Sequence, residues 1–252
     1  MRRTLRLAGA LLAMLALLPP VAAVIKHMPA FGAHPLPYGD AINQAAPAER
    51  HVTNMVTAVN FDYRGIDTLG EEYMLLAAVT GTIVLLRGRR GENVSDQPAR
   101  VPGRAIPPRT DAVILISRFF GPGLLLFGVY VVLHAQLTPG GGFQGGAIIG
   151  SGSLLVYLGE GYRGWRRLIR SHVFDAIEAV GALVFVGAGI APMAAGARFL
   201  ENTLPLGSPR ALLSGGLILV ENAGVALAVA GGFVLLLIEF LEETRATESG
   251  DT

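Results

Sequence analysis

Six stretches of this chain are apolar over enough consecutive residues to read as membrane helices, which limits the fold to a helical bundle in lipid. A helix rises about 1.5 Å per residue, so crossing a hydrocarbon core of ~30 Å takes about 20 apolar residues. The stretches run from Leu5 to Ile25, Glu72 to Leu86, Ala112 to Leu133, Phe143 to Leu158, Val173 to Ala197 and Leu212 to Phe240. The second and fourth are short, which suits helices packed among protein neighbours. Charged residues make up only 15% of the chain, against about 25% in soluble domains. The expectation is an all-α polytopic membrane protein with six transmembrane helices.

Arg2, Arg3 and Arg6 before the first apolar run resemble the start of a signal peptide. That run exceeds a usual signal core and Pro19 and Pro20 interrupt it late, so a retained helix is expected. The basic residues then set the orientation. Arg2, Arg3, Arg6, Arg87, Arg89, Arg90, Arg100, Arg104, Arg109, Arg163, Arg166, Arg167, Arg170 and Arg245 fall on one side of a six-helix topology. The other side keeps Lys26, Arg50, Arg64, Arg198 and Arg210, and Arg118 lies inside the third segment. Positive charge collects in cytoplasmic loops, so both termini are expected in the cytoplasm.

The helices divide two plus four. Residues 88–108 are rich in Arg, Pro and Gly without apolar periodicity and read as a cytoplasmic linker. Residues 1–87 form the two-helix part, 109–241 the four-helix part and 242–252 a polar tail. The long connection between the first two helices holds Pro29, Pro35, Pro37 and Pro47 and is expected to be irregular at first, with a short helix over His51–Val59.

The chemistry open to the chain is narrow. It has no cysteine, hence no thiolate metal or iron–sulfur ligands. No metal cluster, nucleophile–base set or phosphate loop stands out, and neither cofactor nor enzyme activity is expected. A net charge of +1 gives no reason to expect nucleic acid as a partner.

The most specific local feature is Thr138-Pro139-Gly140-Gly141-Gly142-Phe143-Gln144-Gly145-Gly146, between the third and fourth segments. Proline followed by three glycines stops a helix. Gly142, Gly146 and Gly150 then recur every four residues, a small-residue stripe that lets membrane helices approach closely. A tight turn with a packing stripe explains this stretch; lining of an ion or water path is the functional alternative. The second feature is Asn60 through Glu72, where Asp67 or Thr68 can cap the second helix. Capping does not account for Glu71 and Glu72, one of which could face a wet cavity and handle a cation or proton.

Ionisable side chains inside membrane spans usually face protein or water. Asp175 and Glu178, three apart, share a helix face, and a buried Arg118–Glu178 ion pair is expected. Glu221, beside Asn222, has no local base and is the hardest to explain as packing. Glu160 and Glu239 read as solvated rim residues. His134, at the end of the third segment, is a structural residue or a proton-exchange group.

His134 through Gly146, HAQLTPGGGFQGG, resembles the MnhB domain, the B subunit of Mrp-type multisubunit sodium/proton antiporters. The resemblance extends over about Arg109 to Leu241. Val59 through Glu71, VNFDYRGIDTLGE, resembles two related regions: the C-terminal part of the large A subunit of these antiporters, and the E subunit of membrane-bound hydrogenases. Their pattern is similar to VDFRGFDTLGE. Here Tyr63 stands between Asp62 and Arg64 in place of Phe, and Ile66 replaces the second Phe. The chain thus resembles a fusion of two antiporter modules. The resemblance implies a subunit of a proton-coupled sodium exporter, working with other antiporter subunits in the lipid bilayer on Na+ and H+. It implies an ion or proton role at Glu71; Asp67, His134, Glu221 and Glu178 are further candidates for ion path or proton exchange, read from the residues alone. For Pro139, Gly140, Gly141, Gly142, Phe143 and Gln144 it implies subunit packing or path lining. Two alternatives stay open: a purely structural packing role, and membership of the membrane arm of a hydrogenase-type redox complex.

Overall fold

The computed structural model describes residues 2–28, 37–92 and 109–246, and no strand occurs among them. The helices are α1 (Arg2–His27), α2 (Pro37–Glu49), α3 (Met55–Ala58), α4 (Gly65–Glu92), α5 (Asp111–Leu133), α6 (Gly142–Leu168), α7 (Ser171–Ala194) and α8 (Leu217–Ala246). A π-helical turn over Val59–Tyr63 joins α3 to α4. Residues 1–40 and 41–252 are separate compact units. In the first, α1 carries exposed side chains throughout Leu11–Met28.

In the second unit α8 is the hub: α4, α6 and α7 pack on it, and α5 packs on α6. Its apolar span is 67% buried, against 11% for α4 and 17% for α5. Small residues bring the helices together. A Cβ on Gly142, Gly146 or Gly150 would lie 2.9, 2.9 or 2.7 Å from the Cβ of Val225, Val229 or Phe233, respectively. The predicted glycine stripe is therefore the α6–α8 contact. Gly181 of α7 meets Gly224 and Ala228 of α8 in the same way.

Among the described residues four helices are long and apolar enough to cross a membrane: Gly65–Leu86, Asp111–Leu133, Ser171–Ala194 and Leu217–Glu242. The second expected segment is not short. Its helix starts at Gly65, because Thr68 and Glu72 turn into the protein from an already helical backbone. The fourth continues beyond Leu158 as α6, with a break at Gly161 (φ 70°, ψ 176°) and the charged Glu160, Arg166 and Arg167 around it.

Two further expectations change. Residues 29–36 of the proline-containing connection lie outside the described residues, and its later part holds the helix α2, since Ile42 and Ala46, one turn apart, bury an apolar stripe. The helix expected over His51–Val59 shrinks to Met55–Ala58. Ahead of it the backbone N–H groups of Thr53 and Asn54 donate to the Gln136 carbonyl at 2.9 and 3.1 Å. The expected linker starts inside α4, which runs to Glu92; residues 93–108 and 247–252 lie outside the described residues.

Candidate functional site

The glycine loop is held from two sides. Asn54, 8% exposed, reaches into it from the segment before α3. Its Nδ2 donates to the carbonyls of Ala135 (2.7 Å), Thr138 (2.9 Å) and Gly140 (3.2 Å). Thr57 Oγ1 donates to the same Ala135 carbonyl at 2.8 Å, and Thr53 Oγ1 to Leu137 O at 2.7 Å. From the other side Asn222 Oδ1 accepts the Gly142 N–H at 2.8 Å, an N-terminal cap on α6 supplied by α8. Gly140 has φ +138°, and a Cβ there would lie 2.8 Å from Val131 Cγ1. A side chain at this position is both strained and crowded. Phe143 packs on the core, whereas Pro139 and Gln144 are exposed.

A polar pocket of about 470 Å³ is lined by Arg50, Asp62, Arg198, Glu201 and Asn202, among others. Arg50 Nε donates to Asp62 Oδ1 at 2.7 Å, and the Asp62 side chain is only 8% exposed. Asn202 Nδ2 donates to Asp62 Oδ2 at 3.1 Å, while its Oδ1 accepts the Leu217 N–H at 2.8 Å. The floor of the pocket is thereby fixed to the first residue of α8. Arg50 also lies over the Tyr63 ring, 5.3 Å from its centre. Tyr63 donates its hydroxyl to Glu49 Oε2 at 2.9 Å. Partial burial and this bond push the Tyr63 phenol up to about 12.

The acids singled out from the sequence fall into two groups. Asp67 and Glu71, one turn apart, both point out of α4. Asp67 pairs with Arg64; Thr68 is turned inward, its Oγ1 donating to Asn60 O at 2.6 Å instead of capping α4. The second group is buried: Glu72 is 1% exposed, Glu178 6% and Glu221 0%. No hydrogen bond reaches either carboxylate oxygen of Glu72 or Glu221. Glu221 sits in the second turn of α8, nearer the helix start than the apolar run suggested. Glu239, expected at a solvated rim, is 1% exposed.

The expected Arg118–Glu178 pair is not formed. α5 packs on α6, so Arg118 Nε meets Glu160 Oε1 at 2.6 Å, both side chains being partly exposed. Glu178, on α7, is turned against Gly231 and Gly232 of α8. His134 ends α5, stacks on Tyr130 with ring centres 4.0 Å apart and donates Nδ1–H to the Tyr130 carbonyl at 3.0 Å. Asn54 and Asn202 escaped notice, and Asp62 stood only as a motif position without a role, because polar residues outside apolar runs carry no periodic signal; only their partners, distant in sequence, reveal them.

Residues 112–235 match the MnhB family, described as a domain related to the MnhB subunit of Na+/H+ antiporter. A protein of Staphylococcus saprophyticus that carries the name antiporter subunit mnhB2 is 32% identical over 121 residues, covering 46% of this chain and 82% of that one. The A/B subunit of a probable K+/H+ antiporter of Rhizobium meliloti is 28% identical over 212 residues, 76% of this chain but 21% of its own length. Among solved structures, a chain of the Mrp complex from Dietzia sp. superposes with a TM-score of 0.70 at 26% identity, over 94% of this chain and 26% of that one. A chain of the membrane-bound sulfane sulfur reductase, an archaeal respiratory membrane complex, superposes with a TM-score of 0.69 at 27% identity, over 94% of this chain and 98% of that one.

Proposed function

The chain belongs to the MnhB family, and on that premise we propose that it is a subunit of a multisubunit monovalent-cation/proton antiporter. It works with other antiporter subunits in the lipid bilayer of a prokaryotic inner membrane, and Na+ and H+ are the exchanged ions. Its layout in the membrane is two helices, a cytoplasmic connection after α4 and four more helices, with both termini in the cytoplasm. α1 and α6 complete the six spans.

The observation that carries this reading is the placement of Asp67 and Glu71. Both are exposed near the start of an apolar, membrane-length helix, beside exposed Ile66, Tyr73 and Met74. Carboxylates are costly against lipid and mark protein-lined or water-lined ion paths. A neighbouring subunit therefore covers this face, and the ion path runs along the boundary at Glu71. The glycine loop sets how closely the parts around that boundary pack. No catalytic machinery or cofactor belongs to this reading: the chain is a transporter part, not an enzyme.

The test is Glu71→Gln in the assembled complex, read as cation-dependent proton exchange in everted vesicles. Exchange falls while the complex stays intact on blue-native gels. Exchange at the wild-type rate refutes the role of Glu71. A second reading, a membrane-arm subunit of a redox complex, draws on the likeness to the reductase chain. Its redox centres would sit in other subunits, since this chain has no cysteine.

A further inference from the structure

The buried acids of α4, α7 and α8 lie at successive depths, and we propose that Glu221, Glu72 and Glu178 form a proton relay leading from the Asp62 pocket into the span. The inference rests on the antiporter reading and names the groups of this chain that hand the proton on.

The depths follow from helix register. α4 and α8 run in the same direction: Leu69 and Leu75 pack on a cluster with Val225 and Val229, and Val79 and Ile83 on one with Val234, Leu235 and Ile238. A Cβ on Gly232 would lie 3.1 Å from Val79 Cγ2, which pins the level of the two helices. Thr68, Glu72 and Val79 form one buried stripe on α4, so Glu72 faces α8 as Val79 does. Seven residues before Val79, Glu72 is level with Val225, one turn past Glu221, or about 6 Å along the axis. Glu178 packs its backbone on Gly231, and its Oε1 would be 3.0 Å from a Cβ on Gly232. That places it about 10 Å beyond Glu72. At the upper end Asp62 is fixed through Asn202 to Leu217, one turn before Glu221.

Charge balance identifies what the relay carries. Glu72 and Glu221 are almost wholly buried, and nothing donates to their carboxylate oxygens. A buried carboxylate without a positive partner is strongly destabilising. Each group therefore takes a proton or a cation from outside the chain. The carboxylates of Glu221, Glu72 and Glu178 are spread over about 6 and then about 10 Å along the axis, so they do not converge on one ion. Acids spaced by whole turns suit protons passed along them with water between. Glycines at 231 and 232 leave the α7–α8 contact close at Glu178, where a larger residue would press on the carboxylate.

Two measurements on the assembled complex in its membrane test this. Dicyclohexylcarbodiimide enters lipid and reacts with protonated buried carboxyls; peptide mass spectrometry should find adducts on Glu72 and Glu221. In everted vesicles Glu72→Gln should lower cation-dependent proton exchange at least tenfold and Glu72→Asp should recover part of it, both assembling on blue-native gels. If Glu72→Gln fails to assemble, Glu221→Gln is read the same way. Unmodified Glu72 and Glu221, or wild-type exchange in the assembled Gln variant, overturns the relay. If wild-type vesicles show no cation-dependent exchange, the antiporter reading falls, and the carbodiimide adducts still decide the relay.

Discussion

The backbone N–H of Gly142 donates to Asn222 Oδ1 across 2.8 Å. This bond joins the first residue of α6 to the interior of α8 and makes the glycine loop part of the hub. Asn222→Ala leaves that buried N–H without a partner, at about 1–3 kcal/mol. The midpoint of thermal unfolding in detergent should fall, and an unchanged midpoint would show the bond to be dispensable.

Gly142→Leu should be far more damaging than Gln144→Ala. A Cβ at position 142 already crowds Val225 and the α8 backbone, and overpacking typically costs about 1–3 kcal/mol or more. Gln144 is exposed two residues away. The yield of assembled complex on blue-native gels checks this: the leucine variant is depleted and the alanine variant is normal.

Asn54→Leu should loosen the loop from the opposite side. It removes the donor shared by the carbonyls of Ala135, Thr138 and Gly140, again worth about 1–3 kcal/mol. Protease cleavage within 134–142 should become faster in this variant. Wild-type cleavage kinetics would mean that the loop holds its shape without the clamp.

Much of the fold was legible, and the failures share a physical cause. Apolar run length located α5 and α7 within two or three residues of their observed ends, because these helices are apolar over nearly their whole span. It misjudged α4, whose first turns are polar and yet helical, with Thr68 and Glu72 turned inward. Four-residue spacing at Gly142, Gly146 and Gly150 correctly marked a helix contact but could not name α8 as the partner. Which acid meets which base depends on helix neighbours, and those are set by packing between segments far apart in sequence. Arg118 and Glu178 suited each other by depth, but α5 lies on α6 and the arginine found Glu160. Of the adjacent Glu71 and Glu72, only helix phase tells which faces the hub.

Copurification tests the central claim most directly. The tagged chain, extracted from native membranes in mild detergent and analysed by mass spectrometry, is predicted to bring down the other subunits of a cation/proton antiporter. Recovery of hydrogenase or sulfur-reductase subunits in their place, or of the chain alone, would contradict the account.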